Sequence, residues 1–382
     1  MKINNSFLNL FSNSINNNQS YSPRFGLNGA NLAPLAYDTI SFGEAAKSRK
    51  KKVETTPEDA ADVKATVTKT SSKRMSHSDR PTLNTSQGIY DEAKFAFSQF
   101  KSILRYTFDA PVIDRDSFSY ENQVDRALED NKDEPVLMIV ARRKSPNSII
   151  EKMSQKKIRS KIGAKKELND LLGAKIVVTG AGTEEGDYVL DQLTDAVKKG
   201  RLKIKEIKSH NQEDKTLRYA TKPKINKLVE AARKNGSPCC TYVDQPRDSG
   251  YLAIHIITED IADGYNAEIQ IIGLDVSRFK DLEDLCYKCH AGKNVPKKYK
   301  KIQEMFKQVH SDEKLTADFL EYTKRAYAHE RMKPIHGKDG YSEFLRIPSD
   351  LTIPKELDFN NIAKLKESID RTEEERIKKA KL

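Results

Sequence analysis

LNDLLGAKIVVTG, residues 168–180, decides the fold class. It is a short apolar run, closed by Gly180 and entered through Asp170. A run of this length and composition reads as a buried β-strand. Working outward, EPVLMIVARR (134–143) is a second buried-type strand. LKIKEIKSH (202–210) alternates as a strand does. YLAIHIITED (251–260) and NAEIQIIG (266–273) are consecutive strands joined by an Asp-Gly turn. Between them lie segments with helical periodicity. SPNSIIEKMSQKKI (145–158) starts with Ser145 as N-cap and Pro146 at the first position. EEGDYVLDQLTDAVKKG (184–200) stops at Gly200, and KPKINKLVEAARKNG (222–236) at Gly236. Two helices, in 89–108 and 119–131, precede the strands, and a long helical stretch covers roughly 274–330.

The expected fold is therefore α+β: a mixed sheet of about five strands flanked by helices, over residues 86–310. Residues 1–85, rich in Asn, Ser, Thr and Lys, are expected to be disordered. Residues 311–382 are expected to form a helical extension, with a charged helix over 360–380 facing solvent.

The net charge of +11 favours anionic partners without naming one. No window of about 18 apolar residues is present, so no membrane span is expected. The N-terminus is a poor secretory signal. A cytoplasmic protein with reduced thiols follows. Of the four cysteines, Cys286 and Cys289 have the CxxCH spacing of a haem attachment, a chemistry that needs export. A zinc site through all four is conceivable, but adjacent Cys239 and Cys240 are poor ligand geometry. The favoured reading is free thiols, with Cys286 and Cys289 as small hydrophobes on one helical face. There is no Walker loop and no GxGxxG.

Two carboxylates stand out. Asp170 sits at a strand mouth. Glu268 shares one face of its strand with Gln270, a face that is usually half-solvated. An Asp and a Glu on neighbouring strands make a fair magnesium site for a nucleotide. Arg142, Lys144 and Lys152 surround a strand-to-helix turn, where a helix N-terminus would seat a phosphate; an ordinary basic loop is the alternative. Tyr251 and His255, four apart on a strand, share a face with Arg247 upstream. They could stack a base and touch its phosphate, or be a half-buried Tyr–His pair.

In order along the chain, these stretches resemble the RelA/SpoT-type alarmone synthetases, whose nucleotidyltransferase-like domain makes (p)ppGpp from ATP and GDP or GTP. RRKSPNSIIEKM (142–153) is similar to the family's ATP-binding segment, and NDLLGAKIVV (169–178) to its D-L-x-G-x-R strand. YVDQPRDSGYLAIH (242–255) resembles the acceptor-nucleotide loop, and AEIQI (267–271) the E-x-Q strand. The resemblance implies that Arg142 contacts the adenine, and that Lys144 and Lys152 contact the ATP phosphates, with Ser148 supporting the turn. It implies that Asp170 and Glu268 hold Mg2+, with Glu268 also the base for the acceptor 3′-hydroxyl. Tyr251 would stack guanine, with Arg247, His255 and Gln270 lining the acceptor side. Lys175 stands where the family has Arg, Ile272-Gly273 where it has Arg-Thr, and Cys240-Thr241 where it has Lys-Asp.

The chain has no adjacent His-Asp pair of the hydrolase kind, so it resembles the small single-domain members. These form homo-oligomers through terminal helices, which here implies residues 294–330. Pyrophosphorylation of the tRNA 3′ end, and nucleotide binding without catalysis, are alternative activities on the same fold.

Overall fold

The computed structural model describes residues 82–180, 182–211, 217–290, 295–333 and 343–380. The expectation for residues 1–85 lies almost wholly outside them. All described residues belong to one compact unit.

The centre is a seven-stranded mixed sheet in the order β1-β2-β3-β7-β6-β4-β5. Its strands are β1 (Val112–Asp114), β2 (Val136–Arg143), β3 (Leu172–Val178), β4 (Lys203–Ser209), β5 (Thr241–Asp244), β6 (Ile254–Glu259) and β7 (Ala267–Gly273). β1 and β5 are the two not expected. They are edge strands of three and four residues, too short for a period of two to show. Their pairing is set by their neighbours instead: β1 runs parallel to β2, and β5 parallel to β4.

Register assigns the two faces. Ala141, Ala174, Ile269, Ile256 and Ile207 lie level across five strands, and Ile139, Ile176, Ile271 and Ile254 form the next row. These are core residues. Each fully buried isoleucine contributes roughly 1.5–3 kcal/mol. Helix α1 (Leu83–Phe108) packs against β1 and β2, and α6 (Lys222–Lys234) against β4 and β5. α5 (Glu184–Lys198) contacts both helices.

The opposite face carries the polar rows. Val140, Lys175, Gln270, His255 and Lys208 lie level, as do Arg142, Gly173, Glu268, Ile257 and Glu206. A half-solvated face is the expectation for β7, but all seven of its residues are buried. α2 (Tyr120–Asp130) covers the outer part of this face through Val140 and Val177. α7 (Leu274–His290) contacts β3 and β7. Cys286 and Cys289 of α7 are buried in the core, as small hydrophobes are.

The helical stretch after β7 is interrupted. Beyond α7 come a short 3-10 turn at Lys297–Tyr299, α8 (Lys300–Met305), α9 (Lys307–Ser311) and α10 (Glu313–Met332). α3 (Pro146–Gln155) is capped by Ser145 as read from the sequence, and α4 (Lys161–Glu167) follows it. α11 (Phe359–Ala380) is the charged terminal helix, yet its first turns bury Phe359 and Ile362. Phe359 stacks on Tyr322 of α10 with centroids 4.5 Å apart. Residues 343–362 and α10 thus share the core of the sheet domain. No helix among the described residues is long and apolar enough to cross a membrane.

Candidate functional site

The polar face has two halves. In the first, β2 runs out into the turn before α3, and β3 begins beside it. Lys144 N–H donates to Leu171 O at 2.8 Å, which pins the turn to the residue after Asp170. Lys144 reaches the Asp170 carboxylate, and Lys152, two turns into α3, donates to the same Oδ2 at 2.5 Å. The Asp170 side chain is fully buried. Its Oδ1 has no hydrogen-bond partner among the described residues. Burial pushes the Lys144 ammonium down to about 8, although Asp170 opposes this.

Arg142 is level with Gly173 of β3. Burial lowers the Arg142 guanidinium and Arg115 adds to this, while Asp170, Glu268 and Asp281 act to raise it. Lys175 is turned to α7: it donates to Asp281 Oδ1 at 2.9 Å and to Ser277 Oγ at 3.3 Å. Burial works against the Asp281 carboxylate, but Lys175 and Arg115 beside it bring it down to about 2. Ser148 is engaged only in the α3 cap, its N–H donating to Ser145 Oγ at 3.4 Å and its own Oγ accepting from Ser145 at 3.0 Å.

The second half lies over β7, β6 and the loop before β6. Glu268 Oε2 accepts from Gln270 Nε2 at 3.0 Å. Glu268 Oε1 is 2.5 Å from His255 Nδ1, close but not aligned as a hydrogen bond. His255 Nε2 is 3.0 Å from the Tyr251 hydroxyl. Glu268, His255 and Tyr251 therefore form a chain, with each residue 5% exposed or less. Burial first, and then the Glu268 charge, raises the Tyr251 phenol well above its ordinary value. Arg247 is half-buried in the turn, its carbonyl accepting from Gly250 N–H at 2.9 Å.

The covering of this half comes from α10. Tyr327 packs edge-on against Tyr251 at 5.7 Å and against Phe279 at 4.7 Å, and donates to Glu283 at 3.1 Å. Gly250 has φ +77, and a Cβ there would sit 2.7 Å from Lys324 Cα. Two constraints therefore require glycine: the left-handed backbone and the approach of α10. Tyr251 lies beneath Tyr327, and its pair with His255 is more than half-buried, at 5% and 1% exposed. Lys280 of α7 stands 5.3 Å from the Tyr251 ring centre, lowered to about 8 by burial.

His210 is a member of this half that no motif names. It is fully buried, its ring 4.5 Å from His255, and Nδ1 lies 2.7 Å from Gln245 O. Burial and the neighbouring His255 hold its imidazole neutral, down to about 2. The only signal in the sequence is its place at the end of β4, and that says nothing until β4 is paired with β6. Asp281, Lys280 and Tyr327 are equally silent.

The divalent-metal expectation can be tested on the donor set. Among the described residues no group of three or more His, Cys, Asp or Glu is arranged to hold a metal ion by itself. Two carboxylates plus phosphate oxygens suffice for magnesium. The buried, unsatisfied Asp170 Oδ1 is the kind of atom such an ion would satisfy, so the residues fit.

The mixed α+β sheet thus carries a group of cations and two carboxylates on one face. Residues 141–292 match the family described as the region found in RelA / SpoT proteins. The chain carries a RelA/SpoT-type domain. No curated protein shows a significant match. Among solved structures, the chain is similar to a GTP pyrophosphokinase family protein from Streptococcus pneumoniae, at 17% identity over 64% of this chain and 97% of that one, TM-score 0.32. It is also similar to the small alarmone synthetase 1 from Bacillus subtilis, at 14% over 63% and 88%, TM-score 0.34. The same enzyme bound to its product pppGpp gives 16% over 64% and 96%, TM-score 0.31.

Proposed function

We propose that the protein transfers pyrophosphate from ATP to the 3′-hydroxyl of a guanine nucleotide, GDP or GTP, forming a (p)ppGpp-type product. The observation that carries the reading is the convergence of Lys144 and Lys152 on buried Asp170, one strand away from buried Glu268. Polyphosphate transfer needs cations on the phosphates and a carboxylate to accept the hydroxyl proton.

In this reading Lys144 and Lys152 exchange their hold on Asp170 for the ATP phosphates, and Arg142 lies against the adenine. Lys175, tied to α7, keeps that helix in place beside the nucleotide. Asp170 and Glu268 would hold Mg2+, which supplies neutralisation of phosphate charge. The acceptor 3′-oxygen attacks the β-phosphorus, the bond from that phosphorus to the α,β-bridging oxygen breaks, and AMP leaves. Glu268 takes the hydroxyl proton. Tyr251 stacks the acceptor base, with Arg247, His255 and Gln270 at its phosphates and ribose.

The test is incubation with ATP, magnesium and GDP or GTP, read by stoichiometric AMP release and the mass of the product. Glu268→Gln is expected to lower kcat by a factor on the order of 10³. Absence of AMP with every guanine nucleotide would sink the reading. A second reading, nucleotide binding without turnover, is favoured by one observation: Tyr251 lies under Tyr327. ATP binding with no product would select it.

A further inference from the structure

A groove at the outer edge of the sheet is lined by none of the residues assigned to the nucleotides. It encloses 410 Å³ between the C-terminal end of α1, one side of α2 and β1. Pro111, Val112 and Ala127 make its apolar part, with Arg105 of α1 on one wall and Arg126 of α2 on the other. Asp130 is its single lining carboxylate. Both arginines are exposed, and neither is ion-paired with a described carboxylate. β1 adds backbone groups. Ile139 N–H donates to Pro111 O and Arg115 N–H to Ala141 O, so these positions face β2. The N–H and C=O of Val112 alternate with them and point away from the sheet, on the side where β1 has no neighbouring strand. The next outward carbonyl, that of Asp114, already accepts from Ser117 N–H at 3.0 Å. An open edge of this kind is a template for one more extended segment.

The chain carries a segment that matches. Most of the sequence before α1 is polar, but LAYDTISF (35–42) is rich in strand-forming residues and has Asp38 as its one charge. These residues lie outside the described part of the chain. In an extended segment Asp38 shares a face with Ala36, Ile40 and Phe42. One carboxylate among apolar side chains complements two guanidiniums beside an apolar floor. Reach agrees with this. The groove lies at the far end of α1 from Leu83, about 33 Å along the helix axis. About 40 residues bridge the segment and α1, and a flexible chain of that length has an r.m.s. span of about 32–38 Å. A linker whose span matches the distance between its sites gives the highest effective concentration.

We propose that residues 35–42 add to the free edge of β1 as a further strand, paired through Val112, with Asp38 between Arg105 and Arg126. The groove is a docking site for the chain's own N-terminal region, and the inference does not depend on the nucleotide chemistry.

The experiment is amide hydrogen exchange of the full chain, read by mass spectrometry on peptides covering 35–42. In the wild type this stretch is expected to exchange at least about tenfold more slowly than a synthetic peptide of the same sequence. The double charge reversal Arg105→Glu with Arg126→Glu is expected to remove that protection, and so is Asp38→Arg. Combining all three substitutions is expected to restore it, which a general loss of structure would not do. The substituted arginines are exposed, and unchanged exchange of the β3 and β7 peptides in each variant reports an intact sheet. Protection is expected to survive about a hundredfold dilution. Loss on dilution would give the groove to the segment of a second copy and overturn docking within the chain. Unprotected 35–42 in the wild type, or protection indifferent to the charge reversals, overturns the inference outright.

Discussion

The two halves of the polar face differ in what covers them. Over β2 and β3, Arg142, Lys144 and Lys152 are partly buried around one buried carboxylate, the two lysine side chains 10% and 15% exposed. Over β6 and β7, a Glu–His–Tyr chain and a second histidine are closed beneath α10. The first half is held by charge, the second by aromatic packing. The difference teaches that a residue's type does not fix its accessibility. Tyr251 fits the role of a base-stacking ring in the sequence, and an element more than sixty residues later lies across it.

The comparison can be broken from the charged side first. Asp170→Asn leaves two ammonium groups without their shared counter-charge. It is expected to destabilise the fold by about 3–5 kcal/mol, the range for breaking a buried pair, and to abolish ATP binding. Chemical denaturation and titration measure both. Loss of neither would mean that the Lys144–Asp170–Lys152 cluster does not organise this half.

On the packed side, Gly250→Ala places a methyl group against the α10 backbone at positive φ. A loss of about 1–3 kcal/mol is expected. A neutral result would show that α10 does not press on the acceptor loop.

The sharper probe is Tyr327→Ala, which uncovers Tyr251. An edge-on aromatic pair is worth about 0.5–1.5 kcal/mol, so GDP affinity is expected to rise up to about tenfold. The variant also loses stability, so binding is read well below its unfolding transition. Tyr327→Phe keeps the edge contact and is expected to bind GDP as the wild type does.

The smallest effect is electrostatic. The Asp281 carboxylate is lowered from 3.8 to about 2. A depressed carboxylate stabilises the fold above its ordinary value, and that contribution is lost as the pH falls through about 2. Asp281→Asn is therefore expected to be less stable than the wild type near pH 5, by under about 1 kcal/mol because the side chain is half-exposed, and equal to it near pH 2. The same difference at both pH values would exclude the Lys175–Asp281 pair as its source.

Local signals carried much of the fold. β2, β3 and β7 are apolar enough to declare themselves, Ser145 and Pro146 mark α3, and the Asp263-Gly264 turn adopts the positive φ that its sequence demands. β1 and β5 were not legible, since three or four residues show no period. In the site, Lys144, Lys152 and Asp170 were legible because their relation is local: a strand end, a cap and the next strand's mouth. His210, Asp281 and Tyr327 were not. Each reaches the face through pairing or packing between distant segments, and neither is written in spacing. Burial of β7 on both faces has the same origin, because the helices that cover Glu268 follow it in the chain.

The most direct test is a paired titration of the wild-type chain and Tyr327→Ala with an ATP analogue and with GDP, in magnesium. On the proposed function the ATP side is preformed by the Lys144–Asp170–Lys152 cluster, away from Tyr327, so the analogue is expected to bind both proteins alike. The acceptor half is closed by Tyr327, so GDP is expected to bind the variant more tightly. Equal GDP affinity for the two proteins, or a change confined to the analogue, would contradict the account.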